Sequence, residues 1–279
     1  MPISIKDLWF TYDNENWVLK GIDMEIKEGD FVCVVGRTGC GKTTLIEHLN
    51  GILKPAKGEV RVDGEYINAK NIWKIRKKVG LVFQYPEHQL FEETVEKEVA
   101  FGPKQMGFDE SQRAHLIKEA LLAVGLPFRY YASRHPFTLS EGEKRRVAIA
   151  DILAMHPRYL VLDEPTVGLD CAGRKMILDR IKQLNEKGMT VIMITHRMEE
   201  ALHYAKVICL MDDGKILLKG SPEECFQAYP ILNETIKIFL PDMIKLIYSL
   251  EKRKCLLREP IRLDYEGIKE IIMEVLKGR

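Results

Sequence analysis

The sequence has no long hydrophobic run. Its longest apolar segments, such as Phe31–Val35 and Val207–Met211, are far shorter than the ~20 residues that a helix needs to cross a bilayer. Met1–Ile5 leads directly into Lys6 and Asp7, without the apolar segment of a secretory signal. We therefore expect neither a membrane span nor a signal peptide, so that any role at a membrane depends on a partner.

The sequence also lacks a charge imbalance and clustered cysteines. Its 279 residues include 42 Lys and Arg against 41 Asp and Glu, a net charge of +1. This gives no electrostatic case for wrapping nucleic acid, which needs a strongly basic surface. The six cysteines form no CxxC pair, whereas zinc and disulfide frameworks use clustered spacing. We expect scattered, reduced thiols and a cytoplasmic chain.

Strands and helices alternate along the chain, which is typical of an α/β sheet. A β-rich stretch covers Ile3–Ile26. Further strands are predicted at Phe31–Val35, Gly58–Gly64, Val79–Gln84, Tyr159–Asp163, Thr190–Thr195 and Val207–Met211. Helices are predicted at Lys42–Asn50, Glu110–Val124, Ser140–Met155 and Ala172–Lys187. We expect an α/β domain over residues 1–220 with an inserted helical block at about 86–155, followed by a helical extension over 221–279.

A glycine-rich loop joins the strand Phe31–Val35 to the helix that begins near Lys42. The loop matches G-x₄-G-K-[ST] with the residues Gly36, Arg37, Thr38, Gly39, Cys40, Gly41, Lys42, Thr43 and Thr44. Its glycines let successive backbone N–H groups surround a phosphate, and the helix N-terminus adds its positive dipole end. Lys42 is expected to reach the β- and γ-phosphates, and the Thr43 hydroxyl to ligate Mg²⁺.

Two acidic residues end the predicted strand Tyr159–Asp163. In open α/β sheets ligands bind outside the carboxyl ends of the strands, so Asp163 and Glu164 are expected to face the phosphates. Asp163 is then a candidate Mg²⁺ ligand, and Glu164 a candidate for polarising the attacking water.

The stretch between these two motifs contains a possible second anion site. Ser140 and Glu143 have the spacing of a capping box, which is a complete structural explanation by itself. The alternative is that Ser140 and the Gly142 amide, at a helix N-terminus, bind an anion. His196 follows the strand Thr190–Thr195 and has no special meaning alone.

Taken together, these residues resemble the nucleotide-binding subunit of an ABC transporter over about residues 2–220. The motifs occur in that family's order, with a P-loop at Gly36–Thr44, a Q-loop Gln84, a signature Leu139–Glu143, a Walker B strand Tyr159–Asp163, a catalytic Glu164, a D-loop Gly168–Asp170 and a switch His196. The resemblance implies a P-loop NTPase fold with an N-terminal antiparallel β-subdomain. It also implies that Tyr12 stacks on adenine, and that Gln84 contacts the nucleotide and Mg²⁺.

A narrower resemblance lies in Phe83–Phe91, which is followed by Thr94-Val95 and Phe101-Gly102-Pro103. This stretch is similar to the segment after the Q-loop in the A-components of energy-coupling factor (ECF) transporters, including cobalt and nickel importers. Tyr85 replaces the usual Asn there, and Glu141 stands where the signature usually has Gly.

The resemblance also implies partners. ATP is expected between the P-loop of one ATPase subunit and the signature of a second subunit, identical or related. An integral membrane coupling subunit and a substrate-binding membrane subunit are expected to place the chain at the cytoplasmic face of the membrane. The transported solute is expected to be a vitamin or a transition-metal ion, and no nucleic-acid partner is expected.

Two other classes of P-loop protein fit less well. Soluble ABC ATPases acting on DNA carry coiled coils or zinc modules between the Walker motifs, and this sequence shows no pattern for either. Those acting on ribosomes carry two cassettes in one chain, whereas this sequence contains one. A kinase-like enzyme would not need the signature or the D-loop.

Two segments carry apolar residues that the sequence alone does not assign to the core of this chain or to a surface for a partner. Leu90 and Phe91 are expected to lie in an exposed docking groove for the membrane partner, centred on Gln84–Phe91, or else to anchor the loop to the core. In the extension, apolar residues recur near helical spacing. These either pack on the ATPase domain or bind the equivalent extension of a second subunit.

Overall fold

The computed structural model describes residues 3–85, 90–225, 227, 228 and 273. In chain order the elements are β1 (Ile3–Thr11), β2 (Trp17–Ile26), β3 (Phe31–Gly36), α1 (Lys42–Leu49), β4 (Lys57–Val62), β5 (Glu65–Tyr66), α2 (Ile72–Lys78), β6 (Val79–Val82), α3 (Val95–Gln105), α4 (Glu110–Ala123), α5 (Phe128–Tyr131), a 3₁₀ turn (Pro136–Thr138), α6 (Glu141–Ala154), β7 (Tyr159–Asp163), α7 (Cys171–Glu186), β8 (Thr190–Thr195), α8 (Met198–Tyr204), β9 (Val207–Asp212) and β10 (Lys215–Gly220).

The N-terminal part forms an antiparallel sheet with the strand order β2-β1-β4-β5. A second sheet has the order β10-β9-β3-β8-β7-β6, in which all pairs are parallel except the edge strand β10. The strands β3, β7 and β8 are buried throughout, as expected of a parallel sheet that is covered on both faces.

The register of the parallel sheet brings the predicted motifs to one edge. Val35 of β3 pairs with Thr195 of β8, and Asp163 of β7 pairs with Ile194. The residues that follow these three strands therefore emerge side by side at their carboxyl ends, which is where open α/β sheets bind ligands.

The two faces of the parallel sheet belong to separate hydrophobic clusters. Phe31, Cys33 and Val35 pack with the helical region, whereas Val32 and Val34 pack with α1 and the antiparallel sheet. This alternation follows from the two-residue period of a strand. The sheet therefore holds the helical region on one side and the β-subdomain on the other.

Side-chain caps define the starts of the helices in the helical region. Thr94 caps α3, and complete capping boxes open α4 at Asp109 with Gln112 and α6 at Ser140 with Glu143. The capping box predicted at Ser140 is thus confirmed as local structure.

The predicted strands Tyr159–Asp163 and Thr190–Thr195 have the predicted bounds, and the predicted helix at Lys42 ends one residue earlier, at Leu49. The elements β5, α2, α8 and β10 were not predicted. β5 has only two residues and α2 buries only Ile75, so these two carry almost no periodic signal, whereas β10 alternates only between exposed and partly buried positions.

In the described part of the chain, no helix is both long and apolar enough to cross a membrane. The cysteines described there are free, and all are buried except Cys171.

The start of the predicted extension packs on the domain that precedes it. Residues 222–225 are helical, and buried Cys225 belongs to the cluster that contains Ile208. The apolar residues on which the extension hypothesis depends lie outside the described residues; they are Ile231, Leu232, Ile236, Phe239, Leu240, Met243, Ile244, Ile247, Leu250, Ile268, Ile271, Ile272 and Val275.

Candidate functional site

The P-loop follows β3 and turns tightly into α1. A Cβ atom on Gly36 would lie 2.2 Å from the carbonyl oxygen of Met211, and Gly41, which precedes α1, has a φ of 99°. Both positions therefore require glycine. Lys42 is buried, and its ammonium donates to the carbonyl oxygens of Gly36 at 2.9 Å and Arg37 at 2.8 Å. The positive charge thus lies inside the curve of the loop.

The exposure of the other P-loop residues differs along the loop. Arg37, Thr38, Gly39 and Thr43 are exposed, whereas Cys40 and Thr44 are buried. The exposed residues 37–39 precede the α1 N-terminus, and exposed backbone at a helix N-terminus suits an anion.

Thr43 and Asp163 are joined directly. The Thr43 hydroxyl donates to Oδ2 of Asp163 at 2.8 Å. Burial raises the pKa of Asp163, and the Thr43 hydrogen bond and the Lys42 charge oppose that shift. Hard oxygen donors of this kind suit Mg²⁺, which keeps several waters and phosphate oxygens in its coordination shell. No group of three or more His, Cys, Asp and Glu in the described ranges has the geometry of a metal site.

Glu164 meets two other predicted residues. Its Oε2 accepts a hydrogen bond from Gln84 Nε2 at 3.0 Å and lies 3.3 Å from His196 Nδ1. Its backbone is in the left-handed region with a φ of 45°, which is strained for a non-glycine residue. Its N–H donates to the carbonyl oxygen of Ile194 in β8. Gln84, predicted as a Mg²⁺ ligand, therefore directs its amide to Glu164.

Tyr12 lies beside the P-loop. Its hydroxyl is 3.2 Å from Oγ1 of Thr44, and Phe10 supports its ring edge-to-face at 4.8 Å between centroids. The side chain is 64% exposed, so a face of the ring is open to a planar ligand.

The signature residues are held within their own helix start. Ser140 accepts a hydrogen bond from the Glu143 N–H and donates to its carboxylate, while Gly142 lies against Leu169 of the D-loop. Among the described residues, neither Ser140 nor Gly142 hydrogen-bonds to the P-loop. The P-loop, Asp163, Glu164, Gln84 and His196 thus lie together at one site. The signature residues Ser140 and Gly142 do not belong to this site.

Sequence reasoning missed Arg145. Its guanidinium is buried and donates to main-chain carbonyl oxygens that follow Glu164 and to that of Gln84. The Arg-Arg pair at 145–146 is the only sequence signal, and it does not show which arginine turns inward.

A second missed feature is a groove of about 750 Å³ between α2, α3 and α6. Trp73 and Phe101 line it, and Trp73 is 73% exposed. Asp151 also lines it, and its Oδ1 is buried with no hydrogen-bond partner among the described residues. Burial raises the pKa of Asp151 to about 7, with a further contribution from the charge of Glu98.

The prediction that Leu90 lies in an exposed groove is wrong. Leu90 is 4% exposed and belongs to the core cluster, because hydrogen bonds fix the backbone of the loop at this point. Buried Glu98 accepts hydrogen bonds from the N–H groups of Phe91 at 2.9 Å and Glu92 at 2.8 Å. Phe91 is 60% exposed and contacts Phe101 edge-to-face. Residues 86–89 of the predicted docking segment lie outside the described residues.

Comparison with known proteins places this geometry in a family. Residues 19–167 match the family model described as ABC transporter. A protein of Clostridioides difficile named energy-coupling factor transporter ATP-binding protein EcfA2 is 42% identical, and the alignment covers 100% of this chain and 99% of that protein. The protein of the same name from Clostridium perfringens is 44% identical with the same coverage.

Solved structures agree with the sequence matches. The cbiO1 protein of Clostridium perfringens, described as part of the ABC transporter complex cbiONQ, has a TM-score of 0.77 at 34% identity, over 88% of this chain and 98% of that one. The ATP-binding cassette MJ0796, as a dimer in a post-hydrolysis state bound to ADP and Pi, has a TM-score of 0.71 at 30% identity, over 79% and 98%.

Proposed function

This chain belongs to the ABC transporter family as an ATP-binding subunit of the energy-coupling factor type, and from that membership we propose the roles of its residues and the partners of its ATPase cycle. The chain binds ATP and hydrolyses it, and this hydrolysis is coupled to transport across a membrane. The P-loop fold with an antiparallel β-subdomain is that of the family.

Nucleotide binding is assigned to the P-loop and to Tyr12. The exposed backbone of residues 37–39 surrounds the phosphates, and Lys42 releases its loop carbonyls to contact the β- and γ-phosphates. The open ring of Tyr12 stacks on adenine. Thr43 and Asp163, with Gln84, are the residues that would hold Mg²⁺, which neutralises phosphate charge when it is bound.

Glu164 is the proposed catalytic carboxylate. The observation that carries this role is its contact with both Gln84 and His196 at the carboxyl ends of β7 and β8. Gln84 and His196 hold the carboxylate in place, so that it orients the attacking water and accepts its proton, while His196 contacts the γ-phosphate. Phosphoryl transfer needs little beyond such positioning and charge stabilisation.

A second ATPase subunit is proposed to close each ATP site. Residues 37–39 of the P-loop are exposed, and among the described residues the signature of the same chain makes no hydrogen bond to the P-loop. The N-terminus of α6 in a second subunit, with Ser140 and the Gly142 amide, supplies donors for the phosphates at these residues and excludes water. The extension over residues 221–279 is proposed to join the two subunits, and the ATP-binding domain to span residues 1–220.

The membrane partner is proposed to dock in the groove between α2, α3 and α6. Trp73, Phe101 and the adjoining Phe91 are exposed and give this groove an apolar surface of the kind that marks interaction sites. Its occupant is a helical segment of the integral membrane coupling subunit, which in turn contacts a substrate-binding membrane subunit. The chain then lies peripherally at the cytoplasmic face and powers import of a vitamin or a transition-metal ion.

Replacement of the catalytic carboxylate tests the assigned chemistry. Glu164→Gln should bind ATP normally in a direct titration and slow single-turnover hydrolysis by roughly 10²–10⁴-fold, the usual range for a lost general base. Glu199→Gln, which removes an exposed carboxylate from α8, is the matched control and should keep the wild-type rate. Near-normal hydrolysis by Glu164→Gln would show that another residue activates the water.

A further inference from the structure

Arg145 lies in the second turn of α6, five residues after the cap Ser140, and its side chain is 5% exposed. A buried guanidinium is costly unless its donors are satisfied. Here the acceptors belong to two catalytic segments that are distant in sequence. One nitrogen donates to the carbonyl oxygens of Pro165 at 2.9 Å and Val167 at 2.6 Å, and the other donates to that of Gln84 at 3.2 Å.

These contacts surround the backbone that carries Glu164. The carbonyl oxygen of Glu164 itself lies 3.5 Å from the same Arg145 nitrogen that binds Pro165. Since the φ of Glu164 is strained, its conformation depends on interactions with its surroundings. The side chains of Gln84 and Glu164 bond to each other, and Arg145 binds the backbone of both. One rigid, planar group therefore fixes the two residues relative to each other.

The start of the same helix also lies near the segment after Glu164, because a Cβ atom on Gly142 would be 3.5 Å from Leu169, at ordinary van der Waals distance. A displacement of the α6 N-terminus would act on the Glu164 segment through the hydrogen bonds of Arg145.

We propose that Arg145 is a positioning residue that couples the start of α6 to the catalytic carboxylate of the same chain. The proposal rests on the proposed function, in which Ser140 and Gly142 contact the ATP of a second subunit while Glu164 acts on the ATP of its own. ATP held against the α6 N-terminus then sets the position of Glu164 and Gln84 through this side chain. Loss of this side chain therefore weakens the coupling between the two ATP sites of the dimer.

The test compares full-length variants in the purified transporter complex. Arg145→Gln should lower kcat by at least about tenfold and bring the Hill coefficient for ATP from above one to about one, while ATP affinity stays within about twofold. These magnitudes are those of a lost positioning group. Arg129→Gln is the matched control, because Arg129 is an exposed arginine of α5 whose guanidinium lies over the ring of Tyr130. It should keep wild-type values.

Arg145→Lys preserves the buried charge, and it tests the positioning role of Arg145 even if Arg145→Gln folds poorly. A single ammonium does not span the carbonyl oxygens of Gln84 and Val167 as the guanidinium fork does, so kcat should fall at least about threefold with unchanged ATP affinity. Wild-type kcat and Hill coefficient in this variant would overturn the proposal, as would a Hill coefficient of one in the wild type.

Failure of the proposed function gives a different result. Glu164→Gln, measured in the same complex, reports on the catalytic carboxylate alone. If it is slow and Arg145→Lys behaves as wild type, the coupling is wrong and the catalytic assignment stands. If Glu164→Gln hydrolyses ATP at the wild-type rate, the catalytic assignment itself is wrong.

Discussion

Neutralising Asp151 should stabilise the isolated subunit, and the gain should grow with pH. The Oδ1 of Asp151 is buried in the groove between α2, α3 and α6 with no hydrogen-bond partner in the described part of the chain, and burial raises the pKa of this carboxyl from 3.8 to about 7. The native state therefore binds a proton that the unfolded state has lost between these two pH values. Stability must fall as the pH rises through that window.

The magnitude follows from the width of the window. At about 1.4 kcal/mol per pH unit, the shift is worth about 4 kcal/mol in all, of which about 2–3 kcal/mol is lost between pH 5 and pH 8. Asp151→Asn removes the titrating group at nearly constant volume. We expect its gain in Tm over the wild type to be larger at pH 8 than at pH 5 by roughly 5–10 °C, at about 2–4 °C per kcal/mol.

Thermal unfolding of both proteins at several pH values measures this difference. Asp179→Asn provides a control of opposite sign, because hydrogen bonds from Lys175 and Tyr204 lower the pKa of Asp179. That variant should be less stable than the wild type at pH 8, and the loss should shrink at acid pH. If the Tm difference for Asp151→Asn stays constant from pH 5 to pH 8, Asp151 is not a buried, unpaired carboxyl.

Three further predictions concern binding and assembly. Lys42→Ala should weaken ATP binding by about 10–100-fold in a direct titration, the cost of one charged hydrogen-bonding group, and unchanged affinity would contradict the P-loop assignment. Phe91→Asp should stay folded and lose the membrane partner in co-purification, and retention of the partner would show that it docks elsewhere. Leu90→Ala, its buried neighbour, should instead lower the free energy of unfolding by about 2–4 kcal/mol. Removal of residues 226–279, which keeps buried Cys225, should give an ATP-binding protein that is monomeric without nucleotide, and a dimer in light scattering would refute a role of the extension in dimerisation.

The grouping of the predicted site residues at one sheet edge was predictable because these residues follow strand ends. Gly36, Asp163 and His196 each directly follow or end a buried apolar strand, so the sheet register alone brings them to one edge. The residue types at these strand ends then indicate which ligands can bind. A glycine-rich loop with Lys42 can bind phosphate, and two adjacent carboxylates can bind a cation and a water.

The features that escaped sequence reasoning depend on contacts between distant segments. The guanidinium of Arg145 reaches the backbone of Gln84 and of the segment after Glu164 because α6 crosses the loops that carry them, and no local pattern contains that crossing. Leu90 was misplaced for a similar reason. Acidic neighbours suggested exposure, but Glu98 turns inward to bind the backbone of the loop. Local polarity does not reveal such a buried acceptor.

Purification of the complex from membranes tests the central claim most directly. A tagged full-length chain and its Glu164→Gln variant are extracted with detergent, each captured subunit is identified, and ATP hydrolysis is measured on the captured material. We predict that the wild type and the Glu164→Gln variant co-purify with the same integral membrane subunits. Only the wild-type complex should hydrolyse ATP at a substantial rate. An active ATPase that captures no integral membrane protein would contradict the assignment of this chain to a transporter.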